Sequence, residues 1–295
     1  MDNRTQEEQE FIESLELGEE FPIISANDMK IFKQKLKEIM QKILVTSRSI
    51  VCGTNRTGKT NTLQWLWYIL MLMREEELIK NKTKITFFDP TLNLRYNFDS
   101  VPYVDRRKTQ VIPLVKDLII DIPFISSTSK REAVMEVLTN DYIHKQQLKE
   151  KYEGKIPYQD VYFIDEMQNV WSNKALKRKD GETALTIFSE SSNYGMIIIG
   201  STQRLADVAP EIIERTTYAL CGHLSGDNDV AKLRRIAGTD VAKATKKLKQ
   251  GEFIFVDTST NFFDTIKFPK FVQTGKPYLY QGVETSCYVK RTYIS

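Results

Sequence analysis

A chain of 295 residues, 41% apolar and 11% aromatic, is long enough to bury one large core and too rich in aromatic residues to be disordered. Three widely separated cysteines, Cys52, Cys221 and Cys287, exclude a disulfide framework and a cysteine metal cluster, and suit a reducing compartment. The net charge of +3 is unevenly placed: the first twenty residues hold eight acids against Arg4 alone, leaving about +10 on the remainder. That balance is equally compatible with a nucleic-acid partner and with a solvated acidic arm.

In chain order, an acidic N-terminal arm (1–26) precedes a helix over Met29 to Leu44, where Met29, Phe32, Leu36, Ile39, Met40 and Ile43 recur at three- and four-residue intervals. A short apolar strand (Ser49 to Cys52) leads into the loop Gly53 to Thr60, and a helix with a broad apolar face follows over Asn61 to Lys80. Trp65 and Trp67 on that helix read as core rather than as base-stacking platforms. Lys84 to Phe88 is a strand that stops at Asp89-Pro90. Val111 to Val115 and Leu118 to Ile122 fit strand or short helix equally. Ser129 to Tyr152 is a long helix, followed by two apolar strands, Val161 to Ile164 and Met196 to Gly200, with a basic loop and a helix between them. Thr217 to Leu224 is a fifth strand, and Gly251 to Asp257 with Thr265 to Phe268 forms a closing hairpin. Alternating strands and helices predict an α/β fold: a parallel, doubly wound sheet flanked by helices, with a small C-terminal β-hairpin. The principal domain spans 27–270, and 271–295 is a C-terminal extension. No leader pattern is present and the most apolar run, Leu66 to Met73, is shorter than a membrane span, so a cytoplasmic protein without membrane insertion is expected.

Gly53-Thr-Asn-Arg-Thr-Gly-Lys-Thr60 matches the phosphate-binding pattern G-x-x-x-x-G-K-[ST] between a strand and a helix. Its glycines let backbone N–H groups turn inward toward phosphate oxygens, Lys59 reaches the β- and γ-phosphates, and the Thr60 hydroxyl suits Mg²⁺. The expected nucleotide contacts are Gly53, Asn55, Arg56, Thr57, Gly58, Lys59, Thr60 and Asn61. The strand Val161 to Ile164, expected beside the first strand, delivers Asp165 as a second Mg²⁺ partner through water and Glu166 as the group that polarises the attacking water. Gln203, at the end of the next strand, is placed to sense the γ-phosphate. His144 and His223 have no partners at metal-ligand spacing and read as structural.

Gly53 to Thr60, Phe88-Asp89-Pro90, Ile164-Asp165-Glu166 and Ser201 to Val208, in this order, resemble the HerA/FtsK superfamily of DNA-pumping ATPases, over roughly residues 45 to 270. The resemblance implies a P-loop NTPase of the ASCE, RecA-like type, using ATP and Mg²⁺. It further implies a homo-oligomeric ring, hexamer or pentamer, around double-stranded DNA, with an arginine from the adjacent subunit completing each site; Arg215 and Arg204 are the candidates. Asn173 to Asp180, with Lys174, Lys177, Arg178 and Lys179, is the segment expected to contact DNA; a solvated charged face is its bland alternative. Lys243, Lys246, Lys247 and Lys249 read as a solvated face. The HerA β-barrel has no counterpart before the loop, and the FtsK winged helix none after the hairpin, so the pattern is closest to a viral genome-packaging motor, with a portal or capsid protein as a further partner. Its alternatives are a conjugation or plasmid-transfer ATPase, and a nucleotide-dependent assembly or switch protein that does not move DNA.

Overall fold

The computed structural model describes residues 26–46, 48–80, 82–90, 101–108, 117–260 and 262–271. The acidic arm before residue 26, the Val111 to Val115 segment and the extension beyond 271 lie outside the described residues. Helix α1 (Ala26–Thr46) and strand β1 (Arg48–Cys52) come first, and the phosphate-type loop connects β1 to α2 (Lys59–Glu75). Helix α2 buries Leu63, Leu66, Trp67, Ile69, Leu70 and Met73 completely, each contributing about 1.5–3 kcal/mol of transfer free energy. The helix was expected to run to Lys80 and stops at Glu75. Glu77 takes a left-handed φ of 59°, and the N–H groups of Glu77 and Leu78 return to the carbonyls of Arg74 (3.2 Å) and Met73 (2.8 Å). This is the double hydrogen bond by which a helix ends, made here without glycine. Three consecutive glutamates at the negative end of the helix dipole also disfavour further turns.

The strands that follow are β2 (Lys84–Asp89), β3 (Tyr103–Asp105) and β4 (Asp117–Asp121). Leu118 to Ile122 is therefore strand. Helix α3 (Ser127–Lys151) is capped by the Ser126 hydroxyl, which accepts from the N–H groups of Thr128 and Ser129. After β5 (Asp160–Ile164) come two single-turn helices, α4 (Gln168–Trp171) and α5 (Asn173–Leu176), and then α6 (Gly181–Glu190). The remaining elements are β6 (Met196–Thr202), α7 (Pro210–Glu214), β7 (Tyr218–Cys221), α8 (Asp227–Ala244), β8 (Glu252–Asp257) and β9 (Phe262–Lys267).

Among the described residues the strands form one nine-stranded sheet, in the order β3-β4-β2-β5-β6-β1-β7-β8-β9. Pairing is parallel from β3 through β7, and β8 and β9 add antiparallel to close the edge. One expectation is corrected here: β5 does not lie beside β1, because β6 runs between them. Both β5 and β6 are buried along their whole length, so each reads as a continuous apolar run and the sequence carries no signal of their lateral order.

Alternate residues of each strand face opposite sides. Val51, Phe87, Phe163, Ile197 and Ile199 join α1 and α2 in one core, where Trp67 stacks at 5.4 Å on Phe87. Ile50, Phe88, Tyr162, Ile164 and Ile198 join α3 and the helices between β5 and β8 in the other. Three layers result, and all the parallel strands deliver their C-terminal ends to one edge.

Candidate nucleotide-binding site

The loop Gly53 to Gly58 leaves β1 at that edge and doubles back into α2. Gly53 permits the tight wrap, since a Cβ there would come within 2.6 Å of the Thr57 hydroxyl. Gly58 caps α2 at φ 96° with no side-chain hydrogen bond, so the first-turn N–H groups remain available to an anion. Arg56 holds a φ of 65° at the exposed apex beside Asn55. Neighbouring strands brace the loop: Gly53 N–H donates to Thr202 O (3.3 Å), Thr54 N–H to His223 O (2.8 Å) and Gly251 N–H to Thr57 O (3.0 Å). Lys59 Nζ donates to Thr54 O at 2.9 Å. Burial pushes the Lys59 ammonium below its ordinary value, and Asp165, Cys52 and Glu166 act against that shift.

Two strands away, Asp165 is buried just past β5. Its Oδ1 accepts a short hydrogen bond from the Ser201 hydroxyl and another from Glu166 N–H at 3.0 Å. Burial raises its carboxyl above the usual range; the Ser201 bond opposes that, and Glu166 and Asp89 add to it. Glu166 sits at φ 55°, a strained value for a non-glycine residue at the turn out of β5. Its Oε1 accepts from Gln203 Nε2 at 3.1 Å, and its Oε2 accepts from Asn169 Nδ2 at 3.4 Å and lies 3.7 Å from Lys130 Nζ. Gln203, at the mouth of β6, therefore stands between the phosphate loop and Glu166. Gly200 gives this turn room: a Cβ there would meet Met167 Sδ at 2.4 Å.

The donors suit a nucleoside triphosphate with its metal. Free helix N–H groups and Lys59 face the loop cradle, and the Thr60 hydroxyl and Asp165 are hard oxygen ligands of the kind Mg²⁺ prefers. Among the described residues no pre-formed cluster of three or more His, Cys, Asp or Glu is present that would hold a metal alone.

Other expected residues fall elsewhere. The Asn61 side chain is buried and committed to a different contact, donating to Pro269 O (2.9 Å) and accepting from Phe271 N–H (2.6 Å). Trp65 Nε1 reaches the same Pro269 carbonyl at 2.8 Å. Arg204 is exposed at the loop edge, 3.7 Å from Asp207. Arg215, exposed at the end of α7, lies at the opposite edge of the sheet beside Arg48, where β1 begins. A five-residue strand separates that edge from the loop by about 17 Å, so Arg215 does not reach its own chain's phosphate loop. The basic segment is half helical: Lys174 lies in α5, and Lys177 and Lys179 are exposed beyond it. Arg178 is turned inward, with Nη2 donating to Thr128 Oγ1 at 2.8 Å. Ser201, Lys130 and Asn169 were missed. Ser201 was already inside a recognised motif, but nothing in the sequence ties Lys130 to Glu166.

No protein-family profile and no curated sequence matches the chain. Solved structures do. The genome packaging NTPase B204 of Sulfolobus turreted icosahedral virus 2, bound to ATP-gammaS, superposes with a TM-score of 0.55 at 16% identity, over 75% of this chain and 97% of that one. VirB4 of Thermoanaerobacter pseudethanolicus gives 0.52 at 12% identity over 76% and 90%. The chain has a P-loop ATPase fold. Its further neighbours include EccC (ATPases 2 and 3) of Thermomonospora curvata, with a TM-score of 0.50 at 14% identity over 78% of this chain and 38% of that one. Among the described residues no helix of this P-loop ATPase fold is long and apolar enough to cross a membrane.

Proposed function

We propose that the protein hydrolyses ATP to drive double-stranded DNA through a homo-oligomeric ring, as a viral genome-packaging motor of the HerA/FtsK type. The observation that carries this reading is the Glu166–Gln203 contact at 3.1 Å, which sets an acid and an amide at the strand ends facing the phosphate loop. Gly53 to Thr60 bind the triphosphate, and Lys59 neutralises charge on its β- and γ-oxygens. Thr60 and Asp165 hold Mg²⁺, which when bound offsets phosphate charge. Glu166 takes the proton of the attacking water as its oxygen bonds to the γ-phosphorus and the bridging oxygen leaves with ADP. Gln203 orients Glu166. Arg215 faces away from its own site and serves a neighbouring subunit's ATP instead. Lys174, Lys177 and Lys179 make sequence-independent contacts to DNA phosphates, joined by Arg178 when it leaves Thr128.

The fold shared with the packaging NTPase B204, matched along nearly its whole length, supports this reading. The test is the rate of phosphate release from ATP, with and without duplex DNA at low salt, where phosphate contacts are strongest. Stimulation is expected. Hydrolysis or nucleotide binding indifferent to DNA would instead favour the assembly or switch protein.

A further inference from the structure

Both carboxylate oxygens of Glu166 are engaged, Oε1 by Gln203 and Oε2 by Asn169 and Lys130. The Lys130 cation beside Oε2 makes the carboxylate a poorer acceptor for a water proton, whereas the neutral Gln203 amide only orients it. Lys130 lies in the first turn of α3, and the same turn anchors the basic segment. Thr128 accepts from Arg178 (2.8 Å), and the buried Arg131 pairs with Asp180 (2.7 Å) while donating to Val170 O. The cation that holds Glu166 thus lies between the two side chains that fasten the Arg178–Asp180 stretch, two residues after Thr128 and one before Arg131. Lys174, Lys177 and Lys179 around that stretch are exposed, whereas Arg178 is half-buried on a neutral hydroxyl. A phosphodiester is a stronger acceptor for a guanidinium than a threonine hydroxyl, and binds it in bidentate fashion.

We propose that Lys130 is a positioning residue that tethers Glu166, and that a nucleic-acid phosphate backbone bound by the Asn173–Asp180 segment frees it by drawing Arg178 off Thr128 and shifting the first turn of α3. The proposal rests on the ATPase reading above and adds to it a route by which DNA sets the hydrolysis rate. The 3.7 Å Lys130–Glu166 separation is at the loose end for an ion pair, and both side chains are partly solvated, so small movements of α3 break it.

Steady-state ATP hydrolysis by the full chain, with and without duplex DNA, is measured for the wild type, Lys130→Met, Lys130→Arg and Thr128→Val, with melting temperature alongside. Lys130→Met is expected to raise the DNA-free kcat several-fold and bring the stimulation ratio close to unity, with KM for ATP unchanged. Lys130→Arg keeps the wild-type ratio. Thr128→Val, which does not touch Glu166, raises the DNA-free rate in the same direction, and carries the test if Lys130→Met fails to fold. A wild-type stimulation ratio in both Lys130→Met and Thr128→Val would overturn the tether while leaving the ATPase reading intact. A fall in Lys130→Met to the rate of Glu166→Gln would also overturn it, by making Lys130 a support of the working position. Absence of hydrolysis by the wild type would remove the ATPase reading itself, and the tether with it.

Discussion

Gly200→Ala tests whether the turn holding Glu166 is set by packing under it. The added Cβ would lie 2.4 Å from Met167 Sδ, 2.9 Å from Cε and 3.0 Å from Cβ. The terminal atoms of a methionine can swing away, but its Cβ moves only with its backbone, and Met167 is fully buried with its N–H fixed to Ser201 O at 2.7 Å. Overpacking of this kind costs about 1–3 kcal/mol. For a domain of this size that lowers the melting temperature by roughly 2–10 °C. Met167 directly follows Glu166, so part of the strain is relieved by moving the carboxylate, and a displacement near 1 Å costs up to about a hundredfold in rate. Calorimetry and ATP turnover read the two effects separately: kcat should fall about tenfold or more, with nucleotide affinity preserved because the clash is with Met167, past β5 and two strands from the phosphate loop. The double variant Gly200→Ala/Met167→Ala removes Sδ and Cε but keeps the Cβ at 3.0 Å, so it should recover only the part of the lost stability that those two atoms cause. Wild-type melting temperature and kcat in Gly200→Ala would refute the packing argument.

Lys59→Ala should lose nucleotide binding in a fluorescent-nucleotide titration, whereas Glu166→Gln should bind normally and fail to turn over. Arg215→Ala should bind ATP without hydrolysing it, and mixing it with the equally inactive Glu166→Gln should restore activity at interfaces that join an intact Glu166 to an intact Arg215; no recovery would contradict a role in the neighbouring subunit's site. At the far edge of the sheet, burial pushes the Asp160 carboxyl up to about 6 from its ordinary 3.8, partly offset by Lys145 at 3.2 Å. A folded-state value above the unfolded one means that Asp160 favours folding fully below pH 3.8, and that this contribution is lost as pH rises through 6. Asp160→Asn should therefore remove a decline in unfolding free energy between about pH 4 and 6, measured by urea titration; an unchanged pH profile would argue against the shift.

What the sequence made legible was local. The β1–loop–α2 unit announces itself because only glycine allows the loop's close turn at Gly53 and its left-handed cap at Gly58, and α1 and α3 show in their three- and four-residue periodicity. Lateral strand order is not local: β5 and β6 are equally apolar, and only the folded sheet reveals that β6 separates Asp165 from the phosphate loop by two strand widths. The end of α2 was misjudged because Glu77 takes a conformation usually left to glycine. Asn61 follows the Lys-Thr pair and looked like a ligand residue, yet its amide is drawn to Pro269 and Phe271, more than 200 positions downstream. Contacts at that separation, like Lys130 with Glu166, leave no trace in spacing or composition. Arg215 acquires meaning only from topology, since its place at the edge away from the loop follows from the direction of β7.

The central claim is that Glu166 activates water for ATP hydrolysis that duplex DNA accelerates. Phosphate release by the wild type and by Glu166→Gln, each with and without duplex DNA across a salt series, tests it most directly. DNA-stimulated turnover that falls steeply with salt is expected of the wild type, and none of Glu166→Gln under any condition. Near-normal turnover by Glu166→Gln, or a wild-type rate indifferent to DNA at the lowest salt, would contradict it.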